Sequence, residues 1–314
     1  MGIGVREMFE GSGQPAAPGS YGEPPGGFRL PEATRLGPVR LQVADLARSL
    51  AYYERVLGLA VLSRDPASAV LGTQGDARSL VVLDENRAAR GRRPRARLGL
   101  YHFAILLPDR ASLGRFVQHV ATTGERMGAG DHLVSEAFYL QDPDGLGIEV
   151  YADRPRSAWR RMGRQLMLAT DPVDVDAVLA AAAGTAWTGM PAGTVMGHMH
   201  LQVGDLPGAE AFYASGLGFD RITWSYPGAL FLGAGGYHHP LGANTWAGPD
   251  AEPPSKDEAR LLEWTIELPS AADVAAVGQS LAQGGHPWER VSPGAIVARD
   301  PWGTAVRVVA RGAA

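Results

Sequence analysis

Cysteine is absent from this chain of 314 residues, so disulfide bonds, thiolate nucleophiles and thiolate-bound metal sites are all excluded. A transition metal would have to be held by histidine and carboxylate groups, a donor set that suits iron, manganese or zinc. An excess of basic residues is absent too, because the formal net charge is −4. Nucleic-acid binding therefore has no electrostatic support.

A long apolar run is also missing. No segment has the roughly 20 consecutive apolar residues that a membrane-spanning helix needs. The first residues, MGIGVREMFEG, lack the apolar centre of a signal peptide. We therefore expect a cytoplasmic protein without a membrane partner. The chain does contain 45% hydrophobic residues, which is enough to form real cores.

The most informative feature of the sequence is an internal repeat. Residues 1–34 are rich in Gly, Pro and Ala without any period, which predicts a flexible N-terminal arm. After them, LQVADLARSLAYYERVLGL (41–59) returns as LQVGDLPGAEAFYASGLGF (201–219). Similarly, YHFAILLPDRASLGRFVQHV (101–120) corresponds to EWTIELPSAADVAAVGQSL (263–281). Such self-similarity indicates copies of one supersecondary unit.

Each copy has the same pattern of predicted elements. A short alternating strand runs into Asp or Pro and an amphipathic helix that ends at Gly, and three more short strands follow. The prediction is an α+β fold of four βαβββ units, which must pair to cover their sheets. The units are expected at residues 36–86, 98–153, 195–248 and 261–311. They form two predicted domains, 35–154 and 195–312, joined by a helix-containing linker, 155–194.

Five segments carry a resemblance to a known family: GLYHFAILLPD, GDHLVSEAFYLQDPDG, GIEVYADRP, GHMHLQVGDL and GGYHHPLG. With them, nearly everything after residue 35 resembles the vicinal oxygen chelate superfamily of glyoxalases, bleomycin resistance proteins and extradiol dioxygenases. Within it, the chain is similar to the bacterial catechol 2,3-dioxygenase group. The resemblance implies two domains of paired units whose curved mixed sheets enclose a metal cavity.

Three residues are the candidate metal ligands. In this superfamily, ligands come from the first and last strands of a unit, which lie side by side. Strand alternation places His102 and Glu149 on the cavity face, opposite apolar neighbours that face a helix. By resemblance, His198 in GHMH supplies the third ligand. Two imidazoles and one carboxylate are the facial set of non-haem iron(II) oxygenases and leave positions for a bidentate catecholate and dioxygen.

The alternative to a metal site is structural. A lone strand histidine is more often hydrogen-bonded or exposed than a ligand. A carboxylate between Ile148 and Val150 on a central strand is harder to explain that way, because burying an unpaired charge is costly. Fe(II) is implied by the resemblance alone, since the same donors also suit Mn(II).

The chain departs from the usual two-domain pattern, in which all three ligands lie in the C-terminal half. Glu263 and Arg307 occupy the positions of the fourth unit that match the first two ligands, and Pro38 in the first unit matches the third. Units one and four are therefore expected not to bind metal. The intact set is divided between units two and three, and how the four units pair stays open.

Three further residues are candidates for acid–base roles. The resemblance of GGYHHPLG to the last strand of a ligand-bearing unit implies that His239 faces the substrate, with His238 on the opposite side. The segment GDHLVSEAFYLQDPDG implies a substrate-binding His132 and a proton-donating Tyr139. Such groups fit the chemistry, because a catechol loses protons on binding and later intermediates need a donor. The alternatives are a surface-loop position for His132 and core packing for Tyr139.

The remaining pocket candidates are weaker. His200 shares the cavity face with His198 and is expected to line the substrate pocket. Asn244 and Trp246 are candidates to shape it, with core packing as an equal alternative. No residue is predicted to bind an organic cofactor.

The resemblance implies an extradiol dioxygenase that uses Fe(II) and O2 to convert a catechol into a 2-hydroxymuconic semialdehyde-type product, and, since such enzymes are commonly oligomeric, a homo-oligomer. Two alternatives stay open. A glyoxalase-type metalloisomerase or lyase would need a second acidic ligand to shuttle a proton, and the third unit offers only His239 and Asn244 there. A non-catalytic protein that binds a small antibiotic would need no His/His/Glu set.

Overall fold

The structure, a computed structural model, describes residues 13–92 and 96–312. A short strand, Gln14–Pro15 (β1), comes before four units that each contain a strand, a helix and three more strands in that order. In the first unit these are Arg35–Val43 (β2), Leu46–Arg55 (α1), Ala60–Asp65 (β3), Ser68–Gly72 (β4) and Ser79–Glu85 (β5). In the second they are Gly99–Leu106 (β6), Arg110–Thr123 (α2), Gly128–Asp131 (β7), Ser135–Gln141 (β8) and Gly147–Asp153 (β9).

The segment that joins the two halves of the chain has short elements of its own. They are a 3-10 turn, Arg156–Ala158, then Arg160–Met162 (β10), Gln165–Leu166 (β11) and the linker helix, Val175–Ala181 (α3). The third unit contains Val195–Gln202 (β12), Leu206–Ala209 (α4) continued by a π-helical stretch at Glu210–Gly216, Asp220–Thr223 (β13), Ala229–Gly233 (β14) and Leu241–Asn244 (β15). The fourth contains Arg260–Leu268 (β16), Ala271–Gln283 (α5), Trp288–Ser292 (β17), Ala295–Arg299 (β18) and Ala305–Ala310 (β19).

The same capping chemistry starts the helix of every unit. Asp45, Asp109, Asp205 and Ser270 stand in extended conformation directly before α1, α2, α4 and α5, and each side chain accepts a hydrogen bond from the backbone N–H three residues later. Such a cap satisfies one of the first-turn donors that the helix itself leaves unpaired. Because the cap recurs at the same place in each unit, it also marks the repeat in the sequence.

The strands of the four units form two eight-stranded sheets. The site sheet has the order β13-β14-β15-β12-β6-β9-β8-β7, and the second sheet has the order β17-β18-β19-β16-β2-β5-β4-β3. Within each unit the first and last strands are parallel neighbours, as β6 is with β9. Two units then meet through an antiparallel pair of first strands, β6 with β12 and β2 with β16. The predicted α+β fold of paired βαβββ units is confirmed.

The pairing of units crosses the two halves of the chain. Units two and three share the site sheet, while units one and four share the second sheet. Neither predicted domain range, 35–154 or 195–312, therefore forms a sheet by itself. The first strand of each unit is an edge with unpaired backbone groups, and in both sheets a unit from the other half of the chain satisfies them.

Residues 13–34 differ from the flexible arm that their composition predicts. β1 pairs with β10, Leu30 is buried in the main core, and the guanidinium of Arg29 donates two hydrogen bonds of 2.7 Å to the carboxylate of Asp220. Apolar burial and a bidentate ion pair offset the entropy that a Gly- and Pro-rich segment loses on ordering. Residues 1–12 of the predicted arm lie outside the described residues.

The apolar face of the site sheet packs against helix α2. Phe103 and Ile105 of β6 and Ile148 and Val150 of β9 are fully buried in one hydrophobic cluster with Phe116 of α2. The opposite face of both strands is thereby left for the site. None of the helices in the described part of the chain combines the length and the apolar content needed to cross a lipid bilayer.

Candidate metal centre and surrounding cavity

Two histidines and a glutamate converge at the middle of the site sheet. Nε2 of His102 lies 3.0 Å from Oε2 of Glu149, and Nε2 of His198 lies 3.2 Å from the same oxygen. All three side chains are buried, and one ligand atom from each lies within 4.8 Å of the other two. The structure therefore brings the three predicted ligands together, although they come from both halves of the chain.

A small residue keeps space open between these groups. Ala104 on β6 pairs with Glu149 on its parallel neighbour β9 and with His198 on its antiparallel neighbour β12. One row across three strands thus consists of Glu149, Ala104 and His198, and only a methyl group separates the two longer side chains. His102 lies two residues away on the same face and pairs with His200 across the same antiparallel join.

The polar atoms of the site fit a divalent cation. Within the described residues, Oε1 of Glu149 is buried without a hydrogen-bond partner, and the 3.0 Å contact of Nε2 of His102 with Oε2 does not have the geometry of a hydrogen bond. Leaving one buried polar group unsatisfied costs roughly 1–3 kcal/mol, and more for a charged group. A cation held by these atoms would remove that cost. Two imidazoles and one carboxylate suit Fe(II), Mn(II) or Zn(II), and nothing in the donor set separates the three metals.

The charge states of the site also suit a metal. Burial alone would raise the pKa of Glu149, but the imidazoles of His198 and His102 outweigh burial and hold this pKa well below its ordinary value. Burial lowers the pKa of His198, and the carboxylate of Glu149 only partly opposes this effect. At neutral pH the carboxyl group is therefore ionised and His198 is neutral, the forms in which both side chains bind metals.

A half-enclosed cavity of about 150 Å³ lies over the three residues. Most of its wall is aromatic or aliphatic. Glu149 is the only carboxylate among the described residues of the lining, and none of them is Lys or Arg. The lining residues are Tyr101, His102, His132, Tyr139, Glu149, Leu168, Ala169, Thr170, His198, His200, Tyr226, Phe231, His239 and Trp246.

His132 and Tyr139 both line the cavity and are hydrogen-bonded to each other. Nδ1 of His132 lies 2.6 Å from the carbonyl oxygen of Ala169, which can only accept, so Nδ1 is the donor. Nε2 of a neutral His132 then accepts the hydroxyl hydrogen of Tyr139. Burial, reinforced by the negative charge of Glu149, raises the pKa of Tyr139 well above its ordinary value. The hydroxyl therefore keeps its proton at neutral pH.

His239 lies on the opposite side of the cavity, in the turn between β14 and β15. Its ring centroid is 4.4 Å from that of His198 and 4.9 Å from that of Phe231. Burial, and then the neighbouring imidazoles of His198 and His238, lower the pKa of His239 well below its ordinary value. His238 is fully buried and does not line the cavity. It does not lie on the opposite side of a strand, however, because both residues are in the turn and their Nδ1 atoms are 2.7 Å apart.

Of the three weaker pocket candidates, two line the cavity and one does not. His200 and Trp246 line the cavity, and Nε2 of His200 is buried without a hydrogen-bond partner among the described residues. Asn244 is buried but is not part of the lining. Asn244 pairs with Gln202, which lies two residues after His200 on β12. The side-chain oxygen of Asn244 accepts a hydrogen bond from the backbone N–H of Trp246. Asn244 therefore holds the strand end next to the cavity.

Sequence reasoning missed part of the cavity wall. Tyr101, Tyr226 and Phe231 contribute aromatic rings, and the linker contributes residues 168–170. Phe231 lies in the wall because its strand pairs it with Gly242, and Gly242 in turn pairs with His200. The linker residues carry no pattern that marks them, since only the folded chain brings them over the site sheet.

Comparison with known proteins agrees with this architecture. A model of the Glyoxalase/Bleomycin resistance protein/Dioxygenase superfamily matches residues 35–150. The chain is also 43% identical over 258 residues to catechol-2,3-dioxygenase from Bacillus subtilis (strain 168), which covers 81% of this chain and 90% of that protein. The chain belongs to this superfamily. Within it, the protein is a catechol-2,3-dioxygenase-like enzyme.

Solved structures of the superfamily share the fold. A proposed dioxygenase from Bacillus subtilis subsp. subtilis str. 168 matches with a TM-score of 0.62 and 12% identity, covering 91% of this chain and 87% of that one. Glyoxalase I from Zea mays matches with a TM-score of 0.55 and 20% identity, covering 88% and 92%. At such low identities the likeness establishes the arrangement of the chain and carries no argument about substrates.

Proposed function

We propose that this protein is an extradiol dioxygenase, in which His102, Glu149 and His198 hold Fe(II) and a catechol ring is cleaved beside its two hydroxyl groups. The observation that carries the proposal is the convergence of these three buried side chains at the base of an aromatic cavity. The relative from Bacillus subtilis, 43% identical, supports the same chemistry. When bound, the iron supplies a centre at which the catecholate and O2 meet.

The overall reaction balances without a reductant. Catechol and O2 combine to give a 2-hydroxymuconic semialdehyde, because both oxygen atoms enter the product while the ring carbon–carbon bond breaks. The protein has to remove a hydroxyl proton on binding and return a proton later. We assign the first step to His239, which lies on the cavity wall and has a ring nitrogen that can accept a proton. Tyr139 holds a proton at its hydroxyl on the other side, and His132 fixes the direction of that group.

The cavity wall supports a substrate class. A volume of about 150 Å³ suits one aromatic ring, and Tyr101, Tyr226, Phe231 and Trp246 provide faces against which a ring can pack. Since no described residue of the lining is Lys or Arg, a carboxylate on the ring would lose its hydration without gaining a lysine or arginine partner. We propose single-ring catechols with uncharged substituents.

The two alternatives have less support. A glyoxalase-type isomerase was expected to need a second acidic ligand, and Glu149 is the only carboxylate among the described lining residues. A non-catalytic antibiotic-binding protein would not need a carboxylate buried between two imidazoles, as Glu149 is. Burying such a charge is costly, so its presence favours a metal site. A cytoplasmic location and a homo-oligomeric state remain predictions.

The decisive experiment is anaerobic loading with Fe(II), and in parallel with Mn(II) or Zn(II), followed by addition of catechol and air. We expect a yellow product and one O2 consumed per catechol with iron. Catechol and 4-methylcatechol should be cleaved with kcat/KM at least roughly tenfold above that for 3,4-dihydroxybenzoate, since an unpaired buried charge costs more than 1.4 kcal/mol. Absence of O2 uptake with every catechol would refute the proposed reaction, and preference for the carboxylated catechol would refute the substrate class.

A further inference from the structure

A series of hydrogen bonds leads from His239 away from the cavity to His238, Asp153 and Tyr237, which have no role in the proposed function. Nδ1 of His239 lies 2.7 Å from Nδ1 of His238, and Nε2 of His238 lies 2.8 Å from Oδ1 of Asp153. The hydroxyl of Tyr237 donates to the same Oδ1 at 3.2 Å and lies 2.7 Å from the hydroxyl of Tyr151. The series thus connects a cavity residue to a carboxylate whose side chain is 27% exposed.

The end of this series determines the direction of each hydrogen bond. A carboxylate can only accept, so His238 donates its Nε2 hydrogen to Asp153. A neutral imidazole has one N–H, so Nδ1 of His238 must then be an acceptor. The hydrogen between the two Nδ1 atoms consequently belongs to His239. A neutral His239 has its single proton on Nδ1, and the lone pair on Nε2 is left for the cavity.

We propose that Asp153 and His238 are positioning residues, which fix the tautomer of His239 so that an unprotonated Nε2 faces the cavity. No hydrogen bond to Nε2 of His239 occurs within the described residues, so nothing in the wall competes for this lone pair. The tautomer follows from these hydrogen bonds with both imidazoles in the neutral form. Its consequence, that Nε2 accepts a proton from the catechol, rests on the proposed function.

The surrounding packing holds the hydrogen-bonded series in place. The ring of His238 lies between aromatic neighbours, with its centroid 4.1 Å from that of Tyr237 and 5.3 Å from that of Trp159. Asp153 lies four residues after Glu149 on β9, so strand alternation puts both carboxylates on one face. One strand therefore carries a proposed metal ligand and the carboxylate that orients the proposed base.

Nuclear magnetic resonance tests the tautomer directly on the full-length, metal-free protein. Long-range 1H–15N spectra of protein labelled at its eight histidines report which ring nitrogen carries hydrogen, and His238→Gln and His239→Gln assign the signals. We expect Nε2–H for His238 and Nδ1–H for His239. An Nε2–H form of His239 in the unmodified protein would overturn the proposal.

Two substitutions test whether the carboxylate of Asp153, and not the neighbouring hydroxyl of Tyr237, sets the tautomer of His239. In Asp153→Leu, no acceptor remains for an Nε2–H of His238, so that donor would be left buried and unpaired. His238 should then donate from Nδ1, and His239 should shift toward its Nε2–H form. Tyr237→Phe removes a neighbour of the same oxygen but leaves the contact between Asp153 and His238, so both tautomers should persist. An unchanged His239 signal in Asp153→Leu would show that Asp153 does not set the tautomer.

Kinetics of the iron-loaded enzyme test the consequence. Asp153→Leu should lower kcat roughly 10- to 100-fold, the range seen for groups that act through a site residue, while iron content and KM stay within about twofold. Loss of iron or of the folded state instead would indicate a merely structural role and contradict the proposal. If the unmodified enzyme has the expected tautomers but cleaves no catechol, the proposed function fails and the tautomer assignment stands.

Discussion

His102 and His198 lie on neighbouring antiparallel strands from opposite halves of the chain, and Nε2 of each approaches the same oxygen of Glu149, at 3.0 and 3.2 Å. Each half thus supplies part of the site, and neither half contains all of it. The second sheet has the same architecture, but there an ion pair between Arg307 and Glu263, with a contact of 2.6 Å, occupies the corresponding positions. This pseudo-symmetry provides matched controls for testing the site.

We expect Glu149→Gln to lower metal affinity by more than the roughly 10- to 100-fold typical of residues that only support a ligand, because it removes the one anionic donor. The matched control is Arg307→Gln, at the equivalent strand position of the second sheet, which should leave the metal content unchanged. Metal per chain after anaerobic loading, measured by atomic emission, checks both. Full iron content in Glu149→Gln would contradict the ligand assignment.

The small side chain of Ala104 should be necessary to keep the space between Glu149 and His198 open. Ala104→Leu places a larger side chain in that row, and we expect metal content to fall by at least roughly half together with a loss of about 1–3 kcal/mol in the free energy of unfolding. Thr265→Leu, at the matching position of β16, is the control and should retain full metal content. Urea unfolding and metal analysis measure the two effects, and normal metal binding in Ala104→Leu would show that the row is not the site.

Tyr139→Phe removes the hydroxyl hydrogen that His132 accepts while preserving the ring. Because proton transfer from a positioned group contributes typically 10²–10⁴-fold, we expect kcat to fall by roughly 10²-fold with little change in KM. Steady-state O2 uptake with catechol measures both constants. A rise in KM at unchanged kcat would instead indicate that Tyr139 only packs against the substrate.

Asp142, in the turn before β9, should make stability depend on pH. Burial raises the pKa of this carboxyl to about 7, although its Oδ1 accepts backbone hydrogen bonds from Asp144 and Leu146. With a folded pKa above the unfolded one, the folded state binds the proton more tightly. The free energy of unfolding therefore falls as pH rises from about 4 to about 7, by at most roughly 1.4 kcal/mol per unit.

Asp142→Asn keeps the accepting oxygen but cannot ionise, so its stability should vary less between pH 4 and 7. Urea unfolding of both proteins at four pH values in this window gives the two slopes. Equal slopes would show that the Asp142 carboxyl does not titrate with a raised pKa in the folded protein.

The sequence was sufficient to predict the four βαβββ units and the strand face on which the candidate ligands lie. Repeated caps and strand alternation depend on neighbouring residues, so His102 and Glu149 could be placed on the cavity face in advance. Alternation could also have identified Asp153, four residues after Glu149. The pairing of the units could not be predicted in this way, because a sheet edge exposes the same backbone groups to every possible partner. Leu30 was missed for a similar reason, since its burial depends on distant residues.

The crossed pairing of units also determines the order in which the protein can assemble during synthesis. The side chain of Gln42, at the end of β2, donates to the backbone carbonyl of Lys256, which follows 214 residues later. Units two and three are complete once β15 has left the ribosome, so the site sheet can close while β16 has not yet been made. Until β16 has been made, strand β2 of the first unit remains an unpaired sheet edge. Pairing of strands so far apart in sequence is slow, and the exposed edge is prone to aggregation. Folding of this enzyme should therefore depend most on the last unit translated, which contributes nothing to the site itself.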